Sequence, residues 1–232
     1  MPRGETQKGN HMTEFEAILA RHSVRRYTPE PVEPEKAEIL KKKIDEINEK
    51  TGMAISLCLD EPGAFMAEKP SYGSFSGCRN YIVMAARKGE DEAVGYFGEA
   101  LVLLAQTLGL NTCWVALTFE KGAVPASIPE GFKIFDLIAL GHGQTQGVPH
   151  RSKPLEQLYK AKEPVPDWFL DGMKAAALAP TAINQQRFLF RYKDGKVSAK
   201  ALLGPCSKTD LGIVKYHFEI GAGKENVIWE DK

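Results

Sequence analysis

Short motifs occur in the same order in the two halves of the chain, and this repeat limits the possible folds more than any other feature. A Glu-Pro-Val triplet occurs at 30–32 and again at 163–165. Each triplet comes shortly after a tyrosine and precedes a predicted helix. Later in each half a helix carries the pattern Val-x-Tyr-x-x-Glu, at 94–99 and at 214–219. Each match is weak alone, but their shared order indicates two related α-β-α units in one chain.

Apolar spacing predicts helices and strands that fit two such units. We expect unit 1 over 12–160, unit 2 over 161–232, and a leader or tag remnant over 1–11. The predicted helices cover 13–20, 34–50, 91–108, 167–178 and 210–221; the predicted strands cover 54–59, 80–86, 111–117, 135–140, 188–192 and 196–199, with an edge strand at 227–229.

The composition is that of an ordinary globular protein with a balanced surface. Of 232 residues, 43% are hydrophobic and 26% charged, and 30 basic side chains match 30 acidic ones. A formal charge of zero argues against nucleic acid and anionic membranes as partners, and no apolar run is long enough to span a membrane. We expect a cytoplasmic protein, because the N-terminus lacks the apolar stretch of a signal peptide.

The sequence lacks the motifs of several common catalytic sites. Four scattered cysteines without a Cys-x-x-Cys pair predict buried free thiols in a reducing compartment, not a disulfide framework or a zinc site. No metal site is expected. Gly141-His142-Gly143 lacks the third glycine and the helix of a dinucleotide fingerprint, and no Gly-x-Ser-x-Gly elbow is present. If the protein is an enzyme, a bound cofactor should carry the chemistry. The cysteines are Cys58, Cys78, Cys113 and Cys206.

The first candidate half-site is the segment Arg21-His22-Ser23-Val24-Arg25. In an extended segment alternate side chains share a face, so Arg21, Ser23 and Arg25 should point the same way. Two guanidiniums and a hydroxyl on one face can hold a phosphate through charge-assisted hydrogen bonds. A solvated basic surface explains the segment equally well.

The second candidate half-site is the octapeptide at 179–186, Ala-Pro-Thr-Ala-Ile-Asn-Gln-Gln. Pro180 ends the preceding alanine-rich helix, and Thr181, Asn184 and Gln186 then offer donors and acceptors from a turn. The edge of a flavin or pterin presents both in alternation. The alternative is a helix C-terminal turn that leads into a strand.

Four motifs together resemble FMN-dependent nitroreductases over the chain from Thr13 onward. The segment 21–27, followed by a Pro-Val pair and a helix, resembles the start of that family. The octapeptide resembles its Ala-Pro-Ser-x-x-Asn-x-Gln-Pro motif, 109–115 its Gly-Leu-x-x-x-Trp strand, and 139–156 its C-terminal end.

The chain departs from the family in three places. The Ala-Pro-Ser motif usually follows the first long helix, but here it follows the helix of the second unit. Its terminal Pro-aromatic is Arg187-Phe188, and a Lys-x-Arg near the family's C-terminal end is Pro149-His150-Arg151. A fused pseudo-dimer explains the first departure and resembles the TM nitroreductase subfamily.

The resemblance implies an α+β, nitroreductase-like FMN-binding fold, in which helices surround a central, mostly antiparallel sheet and two related units form an internal pseudo-dimer. The chain would be a monomeric pseudo-dimer or a homodimer. It would use NADH or NADPH to reduce a small-molecule electron acceptor, nitroaromatic or quinone-like, through ping-pong hydride transfer. No protein side chain would be catalytic, because the flavin carries the chemistry.

The resemblance also assigns residues to this site. The basic segment with Arg151 would hold the phosphate and ribityl chain, the turn would line the isoalloxazine edge, and a backbone N–H after the Trp114 strand would lie near N5. The alternatives are a flavin-binding or flavin-sequestering scaffold without turnover and a weaker one, a hydrolase of non-flavin phosphate ligands. The expected cofactor-binding residues are Arg21, His22, Ser23, Arg25, Arg151, Leu117, Thr118, Pro180, Thr181, Ala182, Asn184 and Gln186; Tyr72 and Phe75 are expected to face the substrate.

Overall fold

The computed structural model of the protein describes residues 12–66 and 74–230. Five α-helices and seven β-strands lie in these ranges, together with short 3-10 turns. The helices are α1 (Glu14–Ala20), α2 (Pro34–Thr51), α3 (Asp91–Thr107), α4 (Asp167–Ala177) and α5 (Ser207–Ala222). The strands are β1 (Ser56–Cys58), β2 (Asn80–Arg87), β3 (Asn111–Val115), β4 (Phe132–Gly141), β5 (Tyr159–Ala161), β6 (Phe188–Lys193) and β7 (Lys196–Ala201).

The first four strands form an antiparallel sheet in the order β1-β2-β4-β3. Its central strand β2 is buried over six consecutive residues, because α2 and α3 cover one face and a second apolar cluster covers the other. A register shift between Met84 and Ala85 leaves Phe135 of β4, next to Asp136, as an extra residue without a partner on β2. The continuous apolar run at 81–86 therefore reflects burial on both faces.

The other three strands form a separate sheet in the order β5-β6-β7. Asp194 and Gly195, both with positive φ, make the tight turn between β6 and β7, as the Asp-Gly dipeptide predicts. β5 pairs in parallel with β6, and the boundary expected at 160/161 falls inside it. Sequence patterns did not reveal this three-residue strand, because most of its stability comes from pairing with a distant segment.

Helices α3 and α5 pack against each other, α3 on the first sheet and α5 on the second. Two glycines permit this close approach. A Cβ at Gly95 would lie 1.9 Å from the Thr209 carbonyl oxygen, and one at Gly212 would lie 1.9 Å from that of Glu92. The rings of Tyr96 and Tyr216 meet edge to face across the pair, with centroids 5.0 Å apart.

These elements confirm the α+β class with a central antiparallel sheet. Two local expectations were wrong. Cys206 is exposed, whereas the other three cysteines are buried. Residues 227–229 form only an isolated bridge, between Trp229 and Val197. None of the helices in the described ranges is long and apolar enough to cross a membrane.

Candidate cofactor cavity

One cavity of about 500 Å³ brings the two expected half-sites together within a single chain. The basic segment 21–25 lines one side and the turn 180–184 lines the other. Residues 114–118, at the end of β3, and residues around the start of α5 complete the wall. This volume is in the range of small-molecule and cofactor sites. The half-sites are far apart in sequence but meet in space, because α4 and α5 pack against the first half of the chain.

Two buried residues hold the basic segment in place. The Val24 N–H donates to the Thr112 carbonyl of β3 at 3.0 Å, and the Tyr27 hydroxyl donates to the Val24 carbonyl at 2.8 Å. Val24 and Tyr27 thus point into the core. The cavity is lined by the other residues of the segment, Arg21, His22, Ser23 and Arg25. The expected face of Arg21, Ser23 and Arg25 does meet the cavity, but His22 lines it as well, so the alternation is not strict.

Arg21 is the most unusual side chain in the cavity wall. It is only 4% exposed, and its Nε has no hydrogen-bond partner among the described residues. The nearest carboxylate oxygen, on Glu99, is 3.9 Å from that nitrogen. Burial lowers the pKa of the guanidinium and the Glu99 carboxylate opposes this effect, but arginine stays charged. A buried cation without a hydrogen-bonded counterion fits an anionic ligand group.

The opposite wall is a tight turn that follows α4. Ile183 and Asn184 have positive φ, 47° and 54°, and a β-branched residue in that region is a genuine outlier. Asp210 of α5 holds the turn by accepting the Ala182 N–H at 3.0 Å. The Thr181 hydroxyl accepts the Gln186 N–H at 3.1 Å. Strain of this kind is concentrated at functional sites.

Several expected site residues lie elsewhere. Gln186 is buried outside the cavity, where its amide donates to the Ala177 carbonyl and accepts from the Lys153 N–H. Arg151 is exposed and does not line the cavity; its carbonyl accepts from Asn184 at 3.0 Å. Tyr72 lies outside the described residues. The other expected residues line the cavity, including Leu117, Thr118 and Phe75.

Sequence reasoning missed two carboxylates in the cavity wall. Asp136 projects from β4 and Asp210 from the first turn of α5. Burial raises the pKa of Asp136 to about 7, and the nearby Asp210 carboxylate adds to this rise. Burial also raises the pKa of Asp210 to about 6, although its hydrogen bonds from Ala182 and Gln185 lower it. The only signal for Asp136 was one charge inside the apolar run 134–140. Other lining residues that were missed include Pro149, His150, Pro205, Cys206 and Thr209.

The cavity mouth is apolar. Leu117, Val148 and Ile183 line the cavity and are 72%, 79% and 62% exposed, respectively. Large apolar side chains clustered around a concave site mark a surface that contacts ligands. Among the described residues, no group of three or more His, Cys, Asp or Glu side chains could hold a metal ion.

A family model with the description "Putative TM nitroreductase" matches residues 13–222. The chain belongs to this family. The match covers both halves and contains every residue that lines the cavity. No protein with a curated description matches the chain.

Solved structures show the same fold. A protein from Thermotoga maritima described as a "putative nitroreductase" is 24% identical, with 96% of this chain and 90% of that chain aligned and a TM-score of 0.62. A second, from Desulfovibrio desulfuricans and solved in complex with FMN, is 22% identical. In that alignment 66% of this chain covers 98% of the other, with a TM-score of 0.52. The nitroreductase-like fold is therefore shown for this chain.

Proposed function

We propose that this nitroreductase-family protein binds FMN in the cavity and uses NADH or NADPH to reduce nitroaromatic or quinone-like acceptors. The observation that carries the proposal is Arg21, a buried guanidinium without a hydrogen-bonded counterion in a cavity of cofactor size. Family membership supports an oxidoreductase, and a relative of the same fold was solved with FMN. When bound, the flavin supplies the hydride-transfer chemistry.

The residues of the cavity fit the parts of FMN. Arg21, Ser23 and Arg25 would hold the phosphate, with His22 beside them, because charged and hydroxyl donors suit a phosphate dianion. Pro180, Thr181, Ala182 and Asn184 would line the ring edge. The exposed apolar groups Leu117, Val148 and Ile183 would exclude water from the acceptor, and Phe75 would stack against it.

We further propose that the chain is an internal pseudo-dimer. The repeated helical pattern makes matching contacts in both halves. The Trp114 indole N–H donates to Glu99 at 2.8 Å, and that of Trp229 donates to Glu219 at the same distance. Each glutamate ends its Val-x-Tyr-x-x-Glu pattern, and the two patterns lie on the packed helices α3 and α5. These paired contacts support a common origin of the two units.

Binding of FMN and turnover can be tested on the purified protein. We expect a yellow protein whose FMN absorbance bleaches on anaerobic addition of NADH or NADPH and returns when a nitroaromatic acceptor is added. In a titration, Arg25→Ala should weaken FMN binding about tenfold, the loss expected for a charge-assisted hydrogen bond. Arg26→Ala is the matched control, since Arg26 is exposed but does not line the cavity.

The outcomes separate the parts of the proposal. A protein that takes up no FMN would refute the cofactor assignment. Binding without bleaching by either nicotinamide would leave a flavin-binding protein and refute the oxidoreductase activity. Equal losses in the Arg25 and Arg26 variants would refute the placement of the phosphate beside Arg25.

A further inference from the structure

Behind Arg21 lies a buried cluster that the proposed function does not yet use. Glu99 of α3 and His217 of α5 are both fully buried. Oε1 of Glu99 lies 2.7 Å from Nε2 of His217, while Oε2 accepts the Trp114 indole N–H. Both carboxylate oxygens therefore have closer partners than Arg21, which is 3.9 Å away.

The hydrogen bonds of His217 determine how many protons the pair holds. Nδ1 of His217 lies 3.1 Å from the Ala175 carbonyl oxygen, and a carbonyl can only accept, so Nδ1 carries a proton. The 2.7 Å contact between Nε2 and Glu99 needs a second proton between them. Whether that proton sits on nitrogen or oxygen, the pair as a whole is electrically neutral. The charge of Arg21 is consequently left without net compensation.

The two units differ at the position of this histidine. His217 directly follows Tyr216 in the second helical pattern, whereas Phe97 follows Tyr96 in the first. His217 thus belongs to the unit that lacks an Arg-x-Ser-x-Arg segment. Its side chain pairs with Glu99 of the other unit, which lies behind the single segment that the sequence contains.

We infer that the Glu99–His217 pair is a positioning device that leaves the charge of Arg21 uncompensated, so that the cavity selects a phosphorylated flavin over an unphosphorylated one. The inference rests on the proposed FMN site. His217 cancels the charge of the Glu99 carboxylate, which would otherwise neutralise the guanidinium. The phosphate then supplies the missing negative charge.

The preference for FMN over riboflavin, as the ratio of their dissociation constants, tests this inference. In His217→Gln, an uncharged side chain leaves Glu99 as a lone carboxylate that neutralises Arg21, so the preference should fall about tenfold. In Glu99→Gln, a neutral histidine can accept from the new amide and Arg21 keeps its charge, so the preference should be retained. His142→Gln is the control, because His142 also pairs with a glutamate, Glu33, but lies outside the cavity.

A purely structural pair gives a different result. Substitutions in such a pair would weaken the binding of FMN and riboflavin alike in both variants. An unchanged preference in His217→Gln therefore overturns the inference but leaves the proposed FMN site intact. Wild-type protein that binds neither ligand overturns both. If His217→Gln does not fold, nitrogen NMR of the wild-type imidazole decides. A proton on Nδ1 with a second shared between Nε2 and Glu99 supports the inference, whereas a ring protonated only on Nε2 overturns it.

Discussion

Asp136 illustrates how a single residue reports on the cavity. It is only 5% exposed on β4 and lines the cavity. Burial raises its pKa to about 7, and the neighbouring carboxylates of Asp210 and Asp91 add to the effect. A carboxyl group that stays protonated near neutrality in a cavity wall can donate a hydrogen bond to a ligand. The same group makes the ligand-free protein sensitive to pH.

We predict that Asp136→Asn becomes more stable relative to wild type as the pH rises. Because the pKa is raised on folding, the unfolded state loses its proton first, from about pH 4, and wild-type stability falls until about pH 7. The free energy of unfolding in urea, measured across this window, checks the prediction. Asp45→Asn on the exposed face of α2 is the control and should track wild type. A constant difference between Asp136→Asn and wild type would contradict the pKa assignment.

The contact between α3 and α5 is the element-scale feature that forms the site. It places Glu99 of one helix beside His217 of the other, and the start of α5 holds the cavity turn through Asp210. The approach depends on small residues, because the backbone of α3 occupies the space where a side chain at Gly212 would stand. A larger residue at this position would therefore not fit at the present spacing of the two helices.

We predict that Gly212→Ala destabilises the fold. Alanine favours a helix over glycine by about 1 kcal/mol, but its Cβ would lie 1.9 Å from the Glu92 carbonyl oxygen and 2.5 Å from the Tyr96 nitrogen. Backbone cannot move as a side chain can, so overpacking should win and cost about 3 kcal/mol. Chemical denaturation measures this cost. Gly122→Ala, whose Cβ would lie 3.8 Å from its nearest neighbour, should show none; equal stabilities of the two variants would refute the tight contact.

At the scale of the whole molecule, one chain provides both sides of the cavity. The basic segment comes from the first half and the turn from the second, on either side of the α3–α5 contact. The sequence contains one Arg-x-Ser-x-Arg segment and one Ala-Pro-Thr turn. If the chain is a pseudo-dimer, it thus has the parts for one complete FMN site. Cytoplasmic location and further self-association remain predictions.

We predict one FMN per chain, whatever the assembly in solution. Absorbance titration gives the flavin bound per chain, and light scattering of the same sample gives the number of chains per particle. The ratio should stay at one flavin per chain if the protein forms dimers. Two flavins per chain would require a second complete site and would contradict the prediction of a single site per chain.

By itself, the sequence determined the elements and the chemistry of the two half-sites. The helices, the strands of the first sheet and the 194–195 hairpin follow from local periodicity and turn residues, which act over short distances. Arg21, Ser23, Arg25 and the turn at 180–184 were identifiable because their residue types offer the donors and acceptors that suit a phosphate and a flavin edge.

Only the tertiary structure decided which of these groups meet. Asp136, Asp210 and His217 belong to the cavity or its support because of contacts between residues far apart in sequence, and no local pattern encodes such contacts. Gln186 was expected in the site, but packing turned it toward Lys153 and Ala177. Which groups surround the charge of Arg21 likewise depends on a glutamate and a histidine from two different helices. Tertiary structure decides this because a buried ion is compensated only by the groups that the fold places beside it.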